Sequence, residues 1–265
     1  MQSTITKCNF KLSLVALAAF SSNPAFAQEQ QGTHERSQTR FSVGVAVISS
    51  TEAYLGQETD TLVVPAISYE TENWYFRGIE LGYRPEILRE NGLVVFATYS
   101  NASFDPDDNS NAQLRALDER PFRIDSGLRY EQDWMLGKFS AETAINLRDF
   151  DTGARVSLQN AYPLSDKPYI FQLSPYIGVN YLSKDYANYT YGVDTQDTEI
   201  SGLNTYQLGS TYTVEYGLSG YFRVNRHWTL AANIKLEHLS QDIKNSPLVS
   251  DSTNQSAFIF VTYSF

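Results

Sequence analysis

The sequence predicts an all-β chain closed into an antiparallel transmembrane β-barrel, and three observations lead there. From Phe41 to the last residue, apolar side chains recur at every second position in runs of about ten residues, the period of a strand and the length needed to cross a bilayer at a tilt. Tyrosine and tryptophan gather near the ends of these runs, at Tyr69, Trp74, Tyr83, Tyr99, Tyr130, Trp134, Tyr162, Tyr181 and Trp228, where a barrel carries its interfacial girdles. The chain also opens with an export signal and closes on an aromatic strand.

The export signal comes first. Lys7 and Lys11 form a positive region, Leu12 to Phe20 an apolar stretch, and Ala25-Phe26-Ala27 a small-residue cleavage site, so cutting is expected between Ala27 and Gln28. The apolar stretch is about half the length of a membrane-spanning helix and ends before Pro24. The single cysteine, Cys8, leaves with this signal peptide of residues 1–27, so disulfides play no part afterwards. Residues 28–40 lack apolar periodicity and read as a disordered leader; residues 41–265 form the barrel.

Eleven runs follow: 40–48, 61–70, 74–83, 92–100, 122–131, 137–147, 154–163, 171–182, 211–223, 227–238 and 256–265. In 122–131, Phe122, Ile124, Leu128 and Tyr130 share one face while Arg123, Asp125, Arg129 and Glu131 share the other. Soluble strands are shorter, so the apolar face meets lipid and the polar face lines a lumen. In the last run Ile259, Val261, Tyr263 and Phe265 form one apolar face, resembling the terminal strand by which bacterial outer-membrane barrels are recognised by the barrel assembly machinery. Phe258 and Phe260 blur the alternation there.

An odd number of runs cannot close a single-chain bacterial barrel with both termini on one side. With long connections outside and short turns in the periplasm, the assignments fail only before residue 92, so a strand is missed or miscounted near 74–91. The alternation changes phase there, with Arg77 and Glu80 on opposite faces, which points to a bulge or strand boundary at Gly78. The expectation is twelve strands, with ten as the alternative.

Charge narrows the function. With 30 acidic against 20 basic side chains, a formal charge of -10, the chain does not suit nucleic acid. The charges placed in the lumen nearly cancel: Arg123, Arg129, Arg148, Arg155, Arg223 and Lys235 against Asp125, Glu131, Glu142, Glu215 and Glu237. Such a set favours a paired network filling a narrow barrel over a selective pore. The acidic excess then lies in the loops, a solvated rim that could also share divalent cations with lipopolysaccharide.

No catalytic, cofactor or metal site is expected. His227 falls near a periplasmic turn, His238 near Ser240 and Asp242 at the outer rim, residues too close in sequence for ordinary triad geometry. The acidic stretch Asp105-Pro106-Asp107-Asp108 lacks the spaced ligands of a calcium loop.

Several segments together resemble one family, the MltA-interacting protein (MipA) and OmpV group of outer-membrane proteins. They are Tyr54-Leu55-Gly56, Val64-Pro65-Ala66-Ile67-Ser68-Tyr69, Tyr75-Phe76-Arg77-Gly78, Leu114-Arg115-Ala116-Leu117, Tyr191-Gly192-Val193, Ser246-Pro247-Leu248-Val249 and the closing Ile259, Val261, Tyr263, Phe265. The resemblance covers nearly all of the chain after the leader. It implies a non-enzymatic barrel of the bacterial outer membrane, surrounded by lipid and lipopolysaccharide, that scaffolds a lytic transglycosylase together with a penicillin-binding peptidoglycan synthase. A porin-like or small-solute binding barrel, and an adhesin using the long loops 101–121 and 183–210, the second rich in tyrosine, are the alternatives. No functional residue carries over. If a scaffold forms, the leader and the 164–170 turn are expected to contribute.

Overall fold

The computed structural model describes residues 39–100, 104–165 and 170–265; the signal peptide, most of the leader, and Asp166 and Lys167 lie outside the described residues. Twelve antiparallel strands close a barrel. They are β1 (Arg40–Thr51), β2 (Asp60–Glu70), β3 (Trp74–Arg77), β4 (Glu80–Tyr83), β5 (Leu93–Ser100) and β6 (Arg123–Trp134), then β7 (Gly137–Asn146), β8 (Ala154–Ala161), β9 (Phe171–Leu182), β10 (Thr211–Arg223), β11 (Trp228–Leu239) and β12 (Thr253–Ser264). Each strand pairs with its neighbours in sequence, and β1 pairs with β12 from Ser42↔Ser264 to Thr51↔Gln255 to close the cylinder.

The run at 74–83 holds two strands. Gly78 adopts φ 62, a turn conformation disfavoured for other residues, and the chain reverses so that Arg77 pairs with Glu80. Arg77 and Glu80 therefore face the same side, and the change of phase in the sequence is the signature of this hairpin.

Alternation decides what each strand buries. Leu128, Tyr130, Ile145, Leu158, Ile177, Tyr216, Ile234, Ile259 and Val261 face outward, and the girdle aromatics Tyr69, Trp74, Trp134, Tyr162, Tyr181 and Trp228 are exposed. Phe258 and Phe260 are buried inside the barrel, so the blurred alternation of the last run has a simple cause: this part of the lumen is itself apolar. A uniformly polar lumen was expected, and that expectation is corrected here. The sequence did carry the signal, because Val45 to Ile48, Val63 to Ala66 and Phe258 to Val261 are apolar on both faces, as in a strand buried on both sides.

Candidate functional site

Two features dominate the interior: an ionic belt on one wall and a folded cap over the outer end. The belt centres on Arg129 of β6. Its guanidinium reaches Glu80 on β4 through two nitrogens at 2.8 Å and Glu142 on β7 at 2.8 Å, while Arg155 on β8 takes the other oxygen of Glu142 at 2.8 Å. Tyr75 donates to Glu80, and Gly82 makes room, since a Cβ there would overlap the Tyr75 ring. Arg123 is wholly buried; it pairs with Asp125 at 3.0 Å and donates to the Thr152 carbonyl at 2.7 Å. Toward the periplasm, Glu70 accepts from Arg77 and Arg84 at 3.0 Å, and Lys138 lies 2.9 Å from Glu131. On the adjoining wall Gln159 donates to Glu215 at 2.9 Å, Lys235 stands 4.0 Å from Glu215, and Thr213 donates to Glu237 at 2.6 Å.

Most lumen charges fall where the alternation puts them. Arg148 does not: it is exposed at the outer rim, with its guanidinium 4.2 Å from the centre of the Phe122 ring and a donor on the Phe122 carbonyl. It lies past the end of β7, where alternation no longer fixes direction. Glu70, Arg77, Glu80, Arg84 and Lys138 went unassigned in the sequence because they sit at run ends or beside the unrecognised hairpin.

The cap is built from four outer connections. Loop 183–210 contains two helices, α1 (Lys184–Tyr191) and α2 (Thr195–Ser201), and loop 240–252 a short α3 (Gln241–Lys244). Ser183 and Ser240 cap α1 and α3, and Asp194 and Asp197 form a capping box on α2. Ala53, Tyr54, Phe104, Leu114, Leu117, Tyr186, Ala187, Tyr191, Val193, Leu203, Leu208, Ile243 and Leu248 then form one apolar core with the strand ends Leu182 and Leu239. Polar bonds pin it: Tyr54 donates to the Thr190 carbonyl at 2.8 Å, Arg120 to the carbonyls of Thr190 and Gly192 at 2.7 Å, and Ser246 to the Tyr191 carbonyl at 2.7 Å. Burial pushes the phenols of Tyr54, Tyr186 and Tyr191 above their ordinary range, with Arg120 partly opposing the effect on Tyr54.

The tyrosines of loop 183–210 therefore serve the cap. Tyr186 and Tyr191 are buried, Tyr189 donates to the Pro121 carbonyl at 2.5 Å, and Tyr206 donates to the Asp242 carbonyl at 2.7 Å. Asp105 caps the short turn Pro106–Asp108. Ser240 contacts Thr211 at 2.6 Å, while His238 lies 2.9 Å from Lys244. At the periplasmic end His227 stacks on Tyr263 and contacts the Ser264 carbonyl at 2.9 Å.

The sequence segments that pointed to a family come together in space. Tyr54 forms an isolated bridge with Val249 and packs on Tyr191, Leu114 and Leu117 lie in the same core, and Ser246 fastens Tyr191. The other two internal segments, 64–69 and 75–78, form adjoining parts of β2 and β3.

Comparison with known proteins agrees with this geometry. A family model described as MltA-interacting protein MipA matches residues 43–265. The MltA-interacting protein of Escherichia coli strain K12 is 27% identical over 96% of this chain and 99% of its own. A second protein of that strain, named YiaT, is 25% identical over 84% of this chain and 89% of its own. Outer membrane protein OmpV of Vibrio cholerae is 24% identical over 84% of each chain.

Proposed function

The chain belongs to the MltA-interacting protein MipA family, and from that membership we propose that it is a non-enzymatic barrel holding a lytic transglycosylase at the periplasmic face of the outer membrane. Its residence in the bacterial outer membrane follows from its closed barrel and its relatives. The relative that covers nearly the whole chain is named for its interaction with MltA, and that observation carries the reading. A penicillin-binding synthase is the second partner the reading allows.

Three structural features support holding over conduction. The outer end carries a cap with its own apolar core, the charges of the belt around Arg129, Arg155, Glu80 and Glu142 are paired, and the periplasmic rim presents unusual side chains. Ile87, in the turn between β4 and β5, is 94% exposed, and Met135, in the turn between β6 and β7, is 89% exposed. Large apolar groups that exposed are costly to hold in water and suit the centre of a partner interface. Leu136 beside Met135, and Leu164 and Val224 on other turns of the same rim, are also exposed. The leader and the 164–170 turn would widen this surface toward the area a specific complex needs, about 1,200 Å² or more.

Photo-crosslinking residues placed at 87 and 135 in the full chain, within native envelopes, test the reading. Adducts with a murein hydrolase at both positions are expected, with none from a lipid-facing control at Val45. Adducts with lipid alone would overturn it.

A further inference from the structure

The outward face of the barrel has a hollow at bilayer depth. Gly220 on β10 pairs with Ala232 on β11, and both turn toward the lipid, so two adjacent positions of the wall carry almost no side chain. The rows on either side are large: Leu218 pairs with Ile234 toward the outer end, and Phe222 with Leu230 toward the periplasm. Leu173 on β9 and Ile259 on β12 close the flanks, opposite Gly220 and Ala232 respectively. The space enclosed is about 250 Å³, above the ~150 Å³ at which an apolar cavity already admits a benzene ring.

The lining is apolar. Ser219 and Asn233, the polar neighbours in sequence, are buried on the lumen side. Gly220 is needed, because a Cβ there would stand 3.2 Å from Leu173 Cδ1 and 3.0 Å from the Gln172 carbonyl oxygen. Ala232 lies four residues from Trp228 of the girdle, roughly 14 Å along the strand at about 3.4 Å per residue. That places the hollow in the periplasmic half of a hydrocarbon core about 30 Å thick. Left empty, it would forfeit the dispersion contacts of its walls. Hydrocarbon is the occupant that the surroundings supply.

A cation stands at the periplasmic mouth. Arg226 is exposed in the turn between β10 and β11, below Phe222 and Leu230. Its Nε donates to His227 Nε2 at 2.8 Å, and the His227 ring stacks on Tyr263 with centres 5.2 Å apart. Tyr263, on the outward face of β12, meets Trp228 edge-on at 5.2 Å. The guanidinium is thereby laid along the outward aromatic girdle and away from the lumen. Among the described residues its two terminal nitrogens have no protein partner. A fork of free N–H groups at the membrane interface matches a phosphate. We propose that the hollow seats an acyl chain of one inner-leaflet phospholipid whose phosphate is held by Arg226. The site lies apart from the turns bearing Ile87 and Met135 and does not rest on a partner-holding role.

Native mass spectrometry of the full chain, extracted from envelopes in mild detergent, tests the site. One phospholipid adduct is expected to survive collisional activation on the wild type. Ala232→Phe fills the hollow and Arg226→Gln removes the phosphate fork, and each is expected to reduce that adduct several-fold. Val63→Phe, at a lipid-facing position on β2, is expected to leave it unchanged. Heat-modifiable mobility confirms folding, and Arg226→Gln lies outside the strands. Delipidated protein is then given phosphatidylglycerol or diacylglycerol of the same chains. Only phosphatidylglycerol is expected to restore the adduct, and only poorly on Arg226→Gln. Adducts equal in the wild type and both variants would overturn the proposal, as would equal retention of diacylglycerol. A dimer lost in Ala232→Phe without loss of phospholipid would overturn it too, by assigning the hollow to a second copy.

Discussion

Arg129 on β6 and Glu80 on β4, two strands apart, share a two-pronged ion pair with both contacts at 2.8 Å. The short hairpin is thereby tied to a full-length strand across β5, which supplies the fixation that its few ladder bonds do not. Removing one partner of a buried pair leaves the other charge uncompensated, at about 3–5 kcal/mol. Arg129→Met is accordingly expected to lower the unfolding free energy of the refolded barrel, measured by urea titration, by that order. The double variant Arg129→Met with Glu80→Gln should lose less than the two single losses combined. Additive losses would mean the pair is not coupled.

The cap should open without the barrel. Leu114→Ala removes a fully buried side chain from the cap core at about 2–5 kcal/mol, and Tyr54→Phe removes one hydrogen bond at about 1 kcal/mol. Both variants are expected to admit protease to residues 104–121 and 183–210 on intact cells, the first much more strongly. The barrel's heat-modifiable mobility should stay unchanged.

Alkali should open the cap as well. Tyr54, Tyr186 and Tyr191 have phenols raised in the folded state by burial, so their contribution is fully present below the unfolded phenol pKa near 10. As pH climbs past about 10, the opened cap ionises these groups and the closed one does not, and stability falls. Loop protease sensitivity against pH should therefore rise above about pH 10 in the wild type. In Tyr54→Phe the alkaline rise should be shallower, because one raised group is gone.

The terminal strand should matter for assembly more than for stability. Phe265 stacks on Phe41 with ring centres 5.6 Å apart and donates its N–H to the Phe41 carbonyl, at the seam where β12 meets β1. Ile259, Val261, Tyr263 and Phe265 all lie on the outward face, as an assembly signal read from outside would require. Phe265→Ala is expected to reduce assembled protein in cells several-fold while refolding in detergent is little affected. Equal losses in both settings would make Phe265 merely structural.

Fold was legible because lipid on one side and a filled lumen on the other impose a strict period of two. Leu128 against Arg129, or Ile145 against Glu142, could be sorted by position alone. The hairpin at Gly78 showed only as a phase change, since four-residue strands are too short to display a period. Phe258 and Phe260 break the alternation because the lumen beside them is apolar, which a polar-inside pattern does not anticipate. The cap was not legible at all, for its core joins Tyr54, Leu114, Tyr191 and Leu248 from four loops with no shared periodicity. Those residues were noticed through resemblance, and only the fold shows that they touch.

The most direct test of the proposed role is crosslinked co-purification of the tagged full-length protein from native envelopes, beside an unrelated barrel of similar abundance. Specific enrichment of a lytic transglycosylase is expected, weakened by Ile87→Asp with Met135→Asp and by deletion of residues 29–38. Recovery of lipopolysaccharide and assembly factors alone, from the wild type as from the control barrel, would contradict the role.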